Sequence, residues 1–221
     1  FVDREKYDKL TTIIPVKTIN GQTINVLFDT GAPTPALDSA FFCEYLLPEM
    51  GDPDQVVQMG SPWAASANGN PTKENWWYHK PIYVNICNTE IGYDNFLVHD
   101  MNGFRIDVDG VFGLPKSDTT HVWELNFENN YLEIRPANNF KMPEGAYVFP
   151  LTYEDYPRVQ FPIFIQNSNG DAITIDYPYL IDTGLTMDFV LFGSDEEVGF
   201  FSRRDDVVLL STVFGSSRSR Y

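Results

Sequence analysis

The chain holds 221 residues, 43% hydrophobic and 15% aromatic, a balance that builds a packed core and excludes a disordered polymer. Its 15 Lys and Arg face 31 Asp and Glu, and the formal charge of -16 repels phosphate backbones and anionic lipid, which sets aside nucleic-acid binding and adsorption to membranes. No apolar stretch reaches the length of a membrane span, and no signal peptide is read in a chain that opens at Phe1 as a processed or trimmed start.

In chain order, the first strand signal is Thr11-Thr12-Ile13-Ile14-Pro15-Val16, followed by an Asn20-Gly21 turn and a second run, Ile24-Asn25-Val26-Leu27-Phe28. That run ends on Asp29-Thr30-Gly31. A carboxylate just past a buried strand, on a tight glycine turn, is expected to face a cleft. Leu37 to Leu47 reads as a short helix. Strand-like runs follow at Ile82–Ile86 and at Asn95-Phe96-Leu97-Val98, with turn signals at Asn68-Gly69, Asn102-Gly103 and Asn129-Asn130. Past Pro136-Ala137-Asn138-Asn139, where a boundary is placed, Tyr153-Glu154-Asp155-Tyr156 reads as an exposed loop. An Asn169-Gly170 turn then leads to Tyr179-Leu180-Ile181 and a second copy, Asp182-Thr183-Gly184. A second helix is expected over Phe192 to Phe201. Many short strands with polar turns predict an all-β sandwich or barrel.

Each Asp-Thr-Gly follows the same order of parts, an Asn-Gly turn and then a strand ending at the aspartate. Two such turns, one per half, can bring two carboxyl groups face to face. Like charges that close cannot both ionise, so the pair holds one proton, and one acid then activates water while the other polarises a carbonyl. Such a pair titrates as a unit. A local reading, in which each turn only hydrogen-bonds its own backbone, competes with it. A glycosidase also needs two carboxylates but has no use for duplicate Asp-Thr-Gly turns. Cys43 and Cys87 form no CxxC and are read as two buried thiols or one disulfide. His79, His99 and His121 are scattered, no Cys/His cluster has metal-ligand spacing, and neither metal nor cofactor is implied.

On these motifs the chain resembles a pepsin/retropepsin-like aspartic peptidase in its bilobal, single-chain form. The aspartate dyad of that family is the standard worked example of two acids sharing one proton. Asp109-Gly110-Val111-Phe112-Gly113-Leu114-Pro115 is similar to the apolar-apolar-Gly segment that in this family threads behind the first Asp-Thr-Gly loop. The resemblance implies a double-psi barrel fold with an N-terminal lobe over residues 1–137 and a C-terminal lobe over 138–221, the second abbreviated or incomplete. It makes Asp29 and Asp182 the catalytic pair. Thr30, Gly31, Thr183 and Gly184 support it, with the threonines bonding across to the opposite loop. It places a flap between Gln58 and Asp100 with its tip at Ala67-Asn68-Gly69-Asn70 and Trp63 beside it, so that Trp63, Asn68 and Gly69 touch substrate. Of the consecutive Trp76 and Trp77, only one can face the cleft. Val213-Phe214-Gly215 has the composition of a second apolar-apolar-Gly element, although a plain strand end is the favoured reading.

The residues after the two motifs are Ala32 and Leu185, where pepsins carry Ser or Thr; alanine is the retropepsin habit, and activity is expected at mildly acidic to near-neutral pH. The partner implied is a peptide or protein substrate bound by strand-like pairing. Oligomeric state is left open with a monomer the simplest case, and the setting expected from family habit is extracytoplasmic, secreted or periplasmic. The alternative is a catalytically inactive domain of the same fold that binds peptide or glycan in the cleft.

Overall fold

A computed structural model describes residues 12–32, 34–50, 56–59, 75–78, 81–99, 101, 107–116, 118–153, 157–166, 172–176, 178–184, 207–212 and 215–220. The architecture is mainly β, a strongly curled mixed sheet with several small sheets and one short helix. The large sheet has nine strands: β1 (Ile13–Thr18), β2 (Thr23–Phe28), β3 (Ala36–Asp38), β4 (Val56–Met59), β5 (Asn75–Tyr78), β6 (Ile82–Ile86), β7 (Thr89–Tyr93), β8 (Phe96–His99) and β9 (Gly110–Phe112). Their order across the sheet is β4-β5-β8-β3-β9-β2-β1-β6-β7.

The strands form where β-branched and aromatic side chains alternate between two faces. On β2, Ile24, Val26 and Phe28 enter the main core, while Leu27 points to the opposite face and packs with Ile13, Met101, Val108 and Val111. Both faces of β2 are therefore buried, which explains its nearly continuous apolar text. Asn20-Gly21 lies in the turn between β1 and β2, where the Gly21 N–H donates to the Thr18 carbonyl at 2.9 Å. The β6–β7 hairpin closes on Cys87 and Asn88, whose φ values of 52° and 63° give the left-handed two-residue turn that suits strand twist.

The first helix begins later than its hydrophobic pattern suggested. Ala36–Asp38 is drawn into the sheet as β3, and Asp38 caps the helix, its Oδ1 accepting from the Ala40 and Phe41 N–H groups at 2.9 and 3.1 Å. The helical run then passes from an α turn (Ser39–Phe41) through a π turn (Phe42–Leu46) to a second α turn (Leu47–Met50). Phe42 and Leu46 bury its inner face. The helix expected over Phe192 to Phe201 lies outside the described residues.

Beyond the large sheet, β10 (His121–Asn126) and β11 (Tyr131–Pro136) form a hairpin whose Leu132 and Ile134 join the main core, with Trp123 and Leu125 packed against it. A single 3-10 turn, Ala137–Asn139, follows. The remaining chain forms small sheets: β12 (Leu151–Tyr153), β13 (Pro157–Val159) and β16 (Tyr179–Leu180) in one, β14 (Ile163–Gln166) with β15 (Ala172–Ile175) in another, and β17 (Val207–Thr212) with β18 (Gly215–Arg220) in a third. Tyr153 thus ends a strand instead of opening the loop expected there, and residues 154–156 lie outside the description.

Three further expectations are corrected. The second Asn-Gly hairpin does not run into its aspartate, because β15 stops at Ile175 and a separate two-residue strand, β16, precedes Asp182. That approach is not a buried strand either: Leu180 and Ile181 are 41% and 45% exposed, and among the described residues β16 pairs with β13 alone. Cys43 and Cys87 are separate exposed thiols, so neither a disulfide nor a buried pair forms.

Candidate active site

Asp29 leaves the end of β2 at the point where β9 supports the backbone. The Asp29 N–H donates to the Phe112 carbonyl at 2.8 Å, and β9 runs parallel to β2 with Phe28 opposite Phe112. The same β9 is antiparallel to β3, so the chain leaving Asp29 returns on the far side of the strand that supports it. Gly113 is required here, because a β-carbon on it would lie 2.3 Å from the Ala32 carbonyl oxygen and 2.7 Å from that of Asp29. The Tyr93 hydroxyl secures the crossing by donating to the Gly113 carbonyl at 2.9 Å.

Within each Asp-Thr-Gly turn the aspartate orients itself in the same way. The Gly31 N–H donates to Asp29 Oδ1 at 2.7 Å, and the Gly184 N–H donates to Asp182 Oδ1 at 2.8 Å. These contacts satisfy the local reading of the motif, but they are only half of the arrangement.

The other half joins the two turns. Thr30 Oγ1 donates to the Ile181 carbonyl at 2.5 Å, and Thr183 Oγ1 donates to the Phe28 carbonyl at 2.7 Å. Each hydroxyl also accepts, from the Thr183 N–H to Thr30 Oγ1 and from the Thr30 N–H to Thr183 Oγ1, both at 3.1 Å. Four hydrogen bonds thus relate the turns by a local two-fold. Thr30 is only 3% exposed, so its polar groups depend on these bonds.

The glycines let the turns close. A β-carbon on Gly31 would come within 2.8 Å of Asp182 Cγ, and one on Gly184 within 2.4 Å of Asp29 Cγ. Each carboxyl group lies over the other turn's glycine, in space that any side chain would fill. The two carboxyl groups lie close enough for each to act on the other's charge. Both aspartates are half-buried, enclosed but reachable.

This enclosure determines the charge. Asp29 is pushed up to about 8, first by burial, then by the Asp182 charge and the hydrogen bond to it, against the lowering effect of the Gly31 and Ala32 N–H groups. The pair therefore keeps a proton at neutral pH. An acid and a carboxylate side by side can take a proton from a bound water and donate one to a polarised oxygen.

The structure brings together Asp29, Thr30, Gly31, Asp182, Thr183 and Gly184. Trp63, Asn68 and Gly69 lie outside the described residues, as do Leu185, Val213 and Phe214. Trp76 and Trp77 are on β5, with the backbone alone described. Among the described residues β17 and β18 pair with each other, and Gly215 opens β18. No group of three or more His, Cys, Asp or Glu side chains that could hold a metal ion occurs among the described residues. Reading the sequence missed the carbonyls of Phe28 and Ile181 as partners and the Tyr93 bond to Gly113. The first two carried a signal, since each immediately precedes its aspartate; Tyr93 carried none.

Compared with protein-family models and with curated protein sequences, the chain matches none.

Proposed function

We propose that the chain is an aspartic-type endopeptidase of the pepsin/retropepsin kind, hydrolysing peptide bonds with water activated between Asp29 and Asp182. The observation that carries the reading is the reciprocal bonding of the two turns through Thr30 and Thr183. A turn that served only its own backbone would not need a threonine donating to the opposite chain. With the β2–β9–β3 crossing behind Asp29, the fold reading that follows is an acid-protease barrel.

The chemistry follows from one shared proton. The ionised partner takes a proton from water as it attacks the scissile carbonyl, and the protonated partner donates to that carbonyl's oxygen. Collapse of the tetrahedral intermediate expels the amine, which takes a proton from one acid while a hydroxyl of the intermediate gives its proton to the other carboxylate, so the pair again holds one proton. The rate is sustained while one acid is protonated and falls as Asp29 loses its proton through about pH 8. The expected working range is mildly acidic to neutral.

The test is cleavage of casein from pH 3 to 9, with and without pepstatin, by the wild-type chain and by Asp29→Asn and Asp182→Asn. Each substitution is expected to lower kcat by about 1,000-fold or more, since the two acids act as one unit. Turnover that survives in either variant rejects the shared pair. A wild-type chain that retains peptide or glycan without cleaving it establishes the inactive, binding reading instead.

A further inference from the structure

The β10–β11 hairpin carries a set of contacts that the reaction above does not use. The Trp123 ring stacks on Phe28 with centroids 5.5 Å apart and planes 11° from parallel. Phe28 is fully buried, and its carbonyl is the one that receives the Thr183 hydroxyl. Trp123 is in turn fixed at its outer edge, where its Nε1–H donates to Asp118 Oδ2 at 3.0 Å. The other oxygen of Asp118 accepts from the Thr120 N–H at 3.1 Å and the Thr120 hydroxyl at 3.0 Å, and pairs with His121 Nδ1 at 2.9 Å. The Asp118 side chain is 9% exposed. Burial disfavours its charge, but the hydrogen bonds from His121, Trp123 and Thr120 outweigh burial and hold it below the usual carboxylate range. A charged acceptor in a fixed place is a firmer anchor for an indole N–H than a neutral one.

We infer that Trp123, held by Asp118, is a positioning residue for the carboxyl pair: it packs flat on the Phe28 ring, next to the cross-linked Phe28 carbonyl, and so sets where Asp29 meets Asp182. Asp29 is covalently next to the clamped residue, and the clamped residue's carbonyl is one of the four ends of the cross-link. A displacement of about 1 Å at Phe28 would pass directly to both, and such shifts cost reacting groups heavily. Loosening the turn admits water and lengthens the contact between the acids, the two causes that raise Asp29.

The inference rests on the peptidase reading for its kinetic readout but not for its titration. The experiment therefore measures both, using carboxyl carbon resonances of Asp29 and Asp182 against pH and kcat and KM on an unstructured peptide. Trp123→Ala is expected to lower kcat about tenfold with KM little changed and to move the upper apparent pKa of the pair down by about one unit. Trp123→Phe keeps the stacking face but lacks the bond to Asp118, and is expected to show a smaller shift of the same sign. Asp118→Asn should resemble Trp123→Phe. A merely structural tryptophan would lower Tm and the active fraction while leaving the titration in place, and that result overturns the inference. Should Trp123→Ala fail to fold, unchanged titrations in both Trp123→Phe and Asp118→Asn overturn it equally. A wild-type chain that titrates as described without cleaving peptide, and whose titration moves in these variants, removes the peptidase reading and leaves the positioning role standing.

Discussion

Asp29 and Asp182 have matching hydrogen bonds and very unequal foundations. Asp29 stands on β2, the strand with neighbours on both sides and both faces buried, and Phe28 before it is fully enclosed. Asp182 follows β16, two residues long, and the residues that lead into it are open, with Leu180 at 41% and Ile181 at 45% exposure. On the first side the buried strand holds the backbone that leads into Asp29. Among the described residues, the second turn receives from the first the Thr30 hydroxyl on the Ile181 carbonyl and the space above Gly31. Equal chemistry at the pair therefore does not require equal folding energy in the halves that supply it.

Substitutions of the two approaches break this comparison most sharply. Phe28→Ala opens a cavity in the main core and is expected to cost about 3–5 kcal/mol in denaturant unfolding. The matched change beyond β2's influence, Leu180→Ser, removes a half-open side chain and is expected to stay within about 0.5 kcal/mol. Similar losses at the two sites would mean that the second half has a core of its own.

The threonines sharpen the point. Thr183→Val orphans the Phe28 carbonyl and the Thr30 N–H, both in buried residues, and is expected to cost about 1–3 kcal/mol of global stability. Thr30→Val orphans groups on the more open side, at Ile181 and Thr183, and costs less globally. Its effect should appear in amide hydrogen exchange, with protection at Gly184 falling more than protection at Gly31. Equal exchange at the two glycines would contradict the dependence of the second turn on the first.

The smallest informative effect is electrostatic. Asp29 has its ordinary value of 3.8 when unfolded and about 8 when folded, so the folded chain binds the extra proton between these limits. The group's contribution to stability is complete below 3.8 and is lost as pH rises toward 8. Asp29→Asn removes that slope. At pH 7 the variant is expected to melt above the wild-type chain, while at pH 3.5 the difference vanishes. A wild-type Tm that is flat across this range refutes the buried proton.

The same inequality explains what the amino-acid order revealed. Where local pattern and packing agree, as at β6, Ile82–Ile86, the strand bounds are legible from alternation alone. Where a single polar residue redirects the chain, as Asp38 does between β3 and the helix, hydrophobic spacing puts the helix start too early. The second Asn-Gly turn suggested a strand reaching Asp182, but nothing local shows that β15 ends at Ile175 and a new strand begins. At the site, the duplicate motif made the two acids legible and the resemblance supplied the threonine links. The Trp123 stack on Phe28 joins positions far apart in the chain, and neither residue's neighbourhood marks the other. The cysteines show the limit of counting: two of them invite a bridge, and both are free at the surface.

The seat of each acid above the opposite glycine has a further consequence for the newly made chain. The first sheet contains its own partners and can assemble during synthesis, yet Asp29 on it would remain an ordinary carboxylate, wet and ionised. Its unusual acidity comes into being only when Gly184 emerges and docks. On the proposed reading, a molecule synthesised only as far as the first turn is harmless to its surroundings, and the power to cut is conferred when the two turns dock.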